Sequence, residues 1–184
     1  MRNVLSVLAI SAIFLISCSD GDIPKPFVAQ YAESLMSQYP NYASNDIAKG
    51  IVKDSISNHI KSYIGNDAKD LVGIEFRFDK LIDGKDGKCA VFTSDVYVSI
   101  DAPASSQDKY IIGSVKIIAF GKVDDATAAK LDNNIKYSIS GLLHEWDGDN
   151  TLNIIRSSSY DDLDFGTYIL DDMKVREYEP QEKL

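Results

Sequence analysis

The hydrophobic period changes twice along this chain. Residues 4–16 are apolar apart from Ser6 and Ser11, residues 27–64 carry apolar positions about one helical turn apart, and from Leu71 onward apolar and polar residues alternate. In the second zone Phe27, Tyr31, Leu35 and Tyr39 predict a helix over 27–38, which Pro40 closes. Ile47, Ile51, Val52, Ile56, Ile60, Tyr63 and Ile64 predict another, capped by Ser44 or Asn45 and stopped by Gly65. His59 lies at the border of that stripe, which points to packing or capping. The third zone predicts six strands. Ile74, Phe76 and Phe78 alternate with Glu75, Arg77 and Asp79, and Asp83-Gly84-Lys85-Asp86-Gly87 turns into a partner bearing Ala90, Phe92, Val96, Val98 and Ile100. Tyr110 to Phe120 is apolar on both faces and reads as central. A short helix over 124–132 follows, capped by Asp124 or Asp125. Ile135 to Trp146, Thr151 to Ser158 and Thr167 to Tyr178 complete the set.

The first apolar run is too short to span a bilayer, which takes about 20 apolar residues, and Arg2 ahead of it makes it a secretory signal. Its end, Leu15-Ile16-Ser17-Cys18, resembles the lipobox of bacterial lipoproteins. The resemblance implies a diacylglycerol on the Cys18 thiol, cleavage between Ser17 and Cys18, and acylation of the new amino terminus. Each buried CH₂ contributes roughly 0.8 kcal/mol, so several chains give a stable anchor where one is marginal. Ser19 after the cysteine is the pattern associated with passage to the outer membrane, on its periplasmic or its surface side. The expected organisation is a signal over 1–17, a lipidated tether over 18–26, a helical segment over 27–66 and a β-barrel over 67–180, the last two forming one domain.

Removal of residues 1–17 leaves 167 of 184 residues, enough for one compact core. Of 19 basic residues only Arg2 is lost, so the formal charge moves from −9 to −10. An acidic chain without a basic stripe is a poor nucleic-acid binder, because phosphate contacts need Lys and Arg to release counterions. No Lys/Arg cluster follows the anchor to hold the domain against anionic lipid. The chain has two cysteines. With Cys18 acylated, Cys89 is left without an intramolecular partner and reads as a small residue packed in a sheet.

Ile117-Ile118-Ala119-Phe120-Gly121, a short helix, and Ile135-Lys136-Tyr137-Ser138-Ile139-Ser140-Gly141 together look like the middle of an OB-fold. Tyr168-Ile169-Leu170-Asp171-Asp172-Met173-Lys174-Val175 is similar to the closing strand of such barrels, and the likeness extends over about residues 71–178. It is reminiscent of the anticodon-binding-like OB modules of secreted bacterial proteins. The resemblance implies an α+β fold, with two N-terminal helices packed on a six-stranded antiparallel OB-like barrel. The alternative is a cystatin-like or nuclear-transport-factor-like cone, a helix wrapped by a curved sheet. The helix between the third and fourth strands favours the OB order. Nucleic-acid OB-folds combine a basic groove with stacking aromatics, and here the charge is reversed.

Candidate chemistry is sparse. There are two histidines, and His144-Glu145 lacks the second histidine of a zinc-protease helix. No Gly-x-Ser-x-Gly elbow supports a hydrolase triad, and Asp83–Lys88 lacks the spacing of a phosphate loop. Calcium takes oxygen ligands, and Asp147, Asp149, Asn150, Asp161, Asp162 and Asp164 are two oxygen-rich loop clusters that could supply them; apart from this weak site and the Cys18 lipid, no cofactor is expected. Trp146, with His144 and Tyr137, is the candidate binding surface, since aromatics beside loops are favoured at interfaces. The resulting expectation is a non-catalytic envelope lipoprotein, held to the membrane by its N-terminal lipid, that binds an envelope protein or a small ligand. The alternatives are a structural accessory subunit of an envelope complex and a carboxylate-dependent hydrolase of envelope polymers.

Overall fold

A computed structural model describes residues 25–84, 86–101, 110–144 and 162–179. Helices α1 (Phe27–Gln38) and α2 (Asp46–Lys61) precede strands β1 (Phe76–Gly84), β2 (Gly87–Asp101) and β3 (Tyr110–Lys122). A single helical turn, α3 (Asp125–Ala128), leads to β4 (Lys136–Leu143) and β5 (Asp162–Glu177). The fold is α+β. Five strands pair in the order β1-β2-β3-β5-β4, and β4 returns to β1.

This corrects two expectations. The described residues make five strands, and residues 151–158, where another was expected, lie outside them. The sheet is also mixed: β3 and β5 run parallel, from Ser114↔Asp162 to Gly121↔Leu170. The chain between them crosses the ring through α3 and β4, so both strands start from the same end, and such strands are parallel. Strand β5 is long enough to serve two neighbours. Its first half lies on β3 and its second half, from Leu170 to Glu177, on β4.

The bend between those halves shapes the ring. Asp172 sits at φ 49°, and Asp172 and Met173 together face Gly141 where the β4–β5 register shifts. A Cβ on Gly121 would come within 2.5 Å of the Leu170 carbonyl oxygen, and one on Gly141 within 2.8 Å of that of Asp171. Both glycines are required because the bent strand presses its backbone against β3 and β4 at this corner. Ring closure is narrow on the other side, where β1 and β4 share Phe76↔Tyr137 and Arg77↔Lys136. The rest of that β4 edge is covered by the chain leaving α2. Gly65 N–H donates to the Leu143 carbonyl at 2.8 Å, Leu143 N–H to that of Asn66 at 2.9 Å and Ala68 N–H to that of Gly141 at 3.1 Å. This occupies backbone groups that an open edge would offer to another chain.

Inside, Phe92 meets Tyr137 and Phe78 edge-on at 5.6 and 5.8 Å, and the same apolar cluster continues into both helices. Asn45 caps α2, its side-chain oxygen accepting from Ile47 and Ala48 N–H, and Asp124 caps α3 through Thr127 N–H. The buried faces are rotated from the expected stripes. In α1, Val28, Ala29, Ala32, Leu35 and Met36 are buried while Phe27 is exposed, because α1 packs on β2 and small side chains permit the closer approach. In α2, Ala48, Val52 and Ile56 are buried, but Ile47 is 77 % exposed and Ile51 also faces out. The first turn of α2 thus has apolar residues on both sides, and among the described residues no element covers the side of Ile47 and Ile51.

Candidate functional site

Asp70 is the single charged residue fully buried among those described. It sits in a 3₁₀ turn, Lys69–Leu71, between α2 and β1. Its Oδ1 lies 2.9 Å from His59 Nε2 of α2, and its Oδ2 accepts from the Tyr168 hydroxyl of β5 at 2.8 Å. The His59 ring stacks on Tyr31 of α1 at 3.8 Å with a 9° interplanar angle, and Tyr63 and Phe165 meet it edge-on. Tyr31 in turn donates to the Ser55 carbonyl at 3.2 Å. Four elements therefore converge on one carboxylate.

The placement of Tyr168 depends on a bulge. Side chains alternate along a strand, so Phe165 and Tyr168, three apart, would normally face opposite sides. Phe165 and Gly166 together oppose Ile117, and Gly166 takes φ 86°, which inserts the extra residue and turns both aromatic rings inward.

The electrostatics of the tyrosines follow from their burial beside the Asp70 carboxyl group. Burial raises the Tyr168 hydroxyl far above the usual tyrosine range, and the Asp70 carboxylate and its hydrogen bond raise it further. Burial and then Asp70 also raise Tyr31 and Tyr63. Tyr168 stays protonated and donates. With every described buried side-chain polar atom partnered, the network is satisfied and acts as a clasp between helices and sheet. Its full burial gives a substrate no approach to Asp70 or Tyr168.

Accessible chemistry lies elsewhere. A cleft of about 820 Å³ opens where the β1–β2 turn, the end of β3 and the bend of β5 meet. Phe120, Ile169 and Met173 form its apolar part; Asp86, Asp124, Asp171 and Asp172 outnumber Lys122 among the charges. His144 stands at its edge with Nδ1 2.9 Å from Asp171 Oδ2, both side chains exposed. Cys89 also lines the cleft. Burial pushes its thiol up, with Lys122 pulling partly the other way, so at neutral pH it is a thiol and a poor nucleophile. No group of three His, Cys, Asp or Glu is placed to hold a metal ion among the described residues.

Of the predicted binding trio, His144 lines this cleft. Tyr137 does not: it is buried, its ring on Phe92 and its hydroxyl accepting from Asp132 N–H at 2.9 Å. It lies at the opposite end of β4, seven residues or about 23 Å along an extended strand. Trp146, Asp147, Asp149, Asn150 and Asp161 fall outside the described residues, as do Ser17 and Cys18, and the side chains of Asp162 and Asp164 are likewise not described. His59, at the border of the α2 stripe where packing or capping is expected, bonds Asp70 and through it meets Tyr168, pairings that leave no mark in the local sequence pattern. A glycine inside an alternating strand, Gly166, was the available signal of a bulge. Among the described residues no helix is long and apolar enough to cross a membrane. No family model, curated protein or solved structure matches the chain.

Proposed function

We propose that this chain is a lipid-anchored binding module of a bacterial envelope, with an OB-like barrel that engages a cationic partner segment through the cleft around Phe120 and Met173. The observation that carries the binding reading is the cleft itself, an apolar floor with four aspartates among its lining residues. Such a site favours a segment that brings an apolar side chain and one or more basic groups. The OB-like reading is supported by the ring order, the parallel β3–β5 pair and the helical turn between β3 and β4. The anchor reading is supported by Leu15-Ile16-Ser17-Cys18 after an apolar run.

Two experiments test this. Methyl NMR of Met173 and Ile169 should show saturable shifts with amphipathic basic peptides and none with acidic ones; shifts spread evenly over the domain would reject the cleft. Cys18→Ala should abolish palmitate incorporation in cells, and persistent label would reject the lipobox.

A second reading, an accessory subunit docked through its helices, has its own support. Ile47 and Ile51 are apolar and exposed on neighbouring turns of α2, and under this reading a partner covers them. Ile47→Asp would disrupt assembly under this reading and leave peptide binding at the cleft unchanged.

A further inference from the structure

The start of α1 is surrounded by a second surface, distinct from the cleft. Two grooves, of about 440 and 580 Å³, meet at Lys25 and Pro26, sharing Gly73 and Tyr178. Around them, among the described residues, stand three exposed apolar side chains: Phe27 at 48 %, Val72 at 62 % and Tyr97 at 77 % exposure. The charges balance here, with Lys25, Lys69 and Arg77 against Glu75, Asp95 and Glu179. Lys25 is held by Glu33 at 2.7 Å and Glu75 by Lys136 at 2.8 Å. On a cleaved chain of formal charge −10, one below the −9 of the full sequence, a neutral face rimmed by apolar and aromatic residues is the one least repelled by an anionic bilayer.

Chain length makes the occupant specific. Six residues lie between Cys18 and Lys25, so seven Cα-to-Cα steps give a reach of at most about 25 Å even fully extended. An acylated Cys18 therefore keeps Lys25, and the grooves that meet there, within about 25 Å of the bilayer surface. Phe and Tyr side chains suit the headgroup boundary, where an apolar body and a polar tip are both satisfied, and lysine stems can lie along it with their ammonium groups in water. Resting on the anchor assigned under Proposed function, we infer that the face formed by Phe27, Val72 and Tyr97 docks on the bilayer that holds the acyl chains. The orientation has a consequence. Along β2 the cleft residue Cys89 and the face residue Tyr97 are eight positions, about 26 Å, apart, so the docked domain presents its acidic cleft away from the membrane.

The test uses the native acylated chain, reconstituted into phosphatidylethanolamine and phosphatidylglycerol vesicles that carry a diazirine-bearing lipid. After irradiation, peptide mapping should find carbene adducts at Phe27, Val72 and Tyr97 at least about tenfold above those at Asp83 and Lys88 of the far hairpin, as shallow insertion of one face requires. Phe27→Asp combined with Val72→Asp should lower the adducts at Tyr97 severalfold. Adducts confined to residues 18–24, adducts equal at both ends, or a face that crosslinks to a protein and not to lipid would each overturn docking while leaving the anchor in place. A chain that takes up no palmitate and does not float with the vesicles overturns the anchor and the docking together.

Discussion

Removing the Tyr168 hydroxyl is the most direct probe of the clasp at Asp70. Tyr168→Phe keeps the ring, which is fully buried, and deletes one hydrogen bond to a buried carboxylate. A hydrogen bond to a charged group contributes about 1.5–3 kcal/mol, and a domain of this size is stable by about 5–15 kcal/mol, so the change is a large fraction of the total. Asp70→Ala should cost more, about 3–5 kcal/mol, because it strands the His59 ring nitrogen and the Tyr168 hydroxyl inside the protein. If both partners act through the one carboxylate, the effects cannot add: in the Asp70→Ala background, Tyr168→Phe should cost under about 1 kcal/mol. The assay is urea unfolding followed by circular dichroism. With a slope of about 2 kcal/mol per molar, Tyr168→Phe should lower the midpoint by about 1 M. A loss below about 0.5 kcal/mol, or additive losses in the double variant, would refute a shared buried carboxylate.

The same network predicts alkaline sensitivity. The folded-state pKa of Tyr168, Tyr31 and Tyr63 is raised above the unfolded value of about 10, so the stability they contribute is complete below that pH and declines above it as the unfolded chain loses protons first. Urea midpoints between pH 9 and 11.5, a range set about the ordinary tyrosine value, should fall in the native chain and fall less in Tyr168→Phe. Gly121→Ala forces a Cβ against the Leu170 carbonyl at the β5 bend and should cost about 1–3 kcal/mol, measured by thermal melting. Ile47→Gln, on an exposed position, should change stability by less than about 0.5 kcal/mol, whereas Val52→Ala, buried one turn on, should cost over about 1 kcal/mol. Equal effects of those two would mean that the rotated face of α2 is misassigned.

Local periodicity by itself determined the kind and the approximate place of most elements, although β5 begins at Asp162, ahead of the expected Thr167, and α3 is a single turn, Asp125–Ala128, of the expected 124–132. Helix α1 spans the expected 27–38, α2 starts behind Asn45 as its cap predicted, and the hairpin turns between Gly84 and Gly87. These follow from interactions within a few residues: spacing of apolar side chains, a capping oxygen, a glycine at a turn. The sequence also set the acidic balance. What the tertiary structure alone decided is which side of each element meets which neighbour. A stripe containing Ile47 and Ala48 is apolar in two directions, and only packing selects Ala48 for the core. The parallel β3–β5 pairing needs the crossover through β4, and the inward turn of Phe165 and Tyr168 needs a bulge one residue long. The clasp at Asp70 joins residues 11 and 98 positions away, and the two grooves that meet at Lys25 draw on α1, β1, β2 and the residue after β5. Such contacts leave no periodic trace, because each partner is chosen by the path of the whole chain and not by its neighbours in sequence.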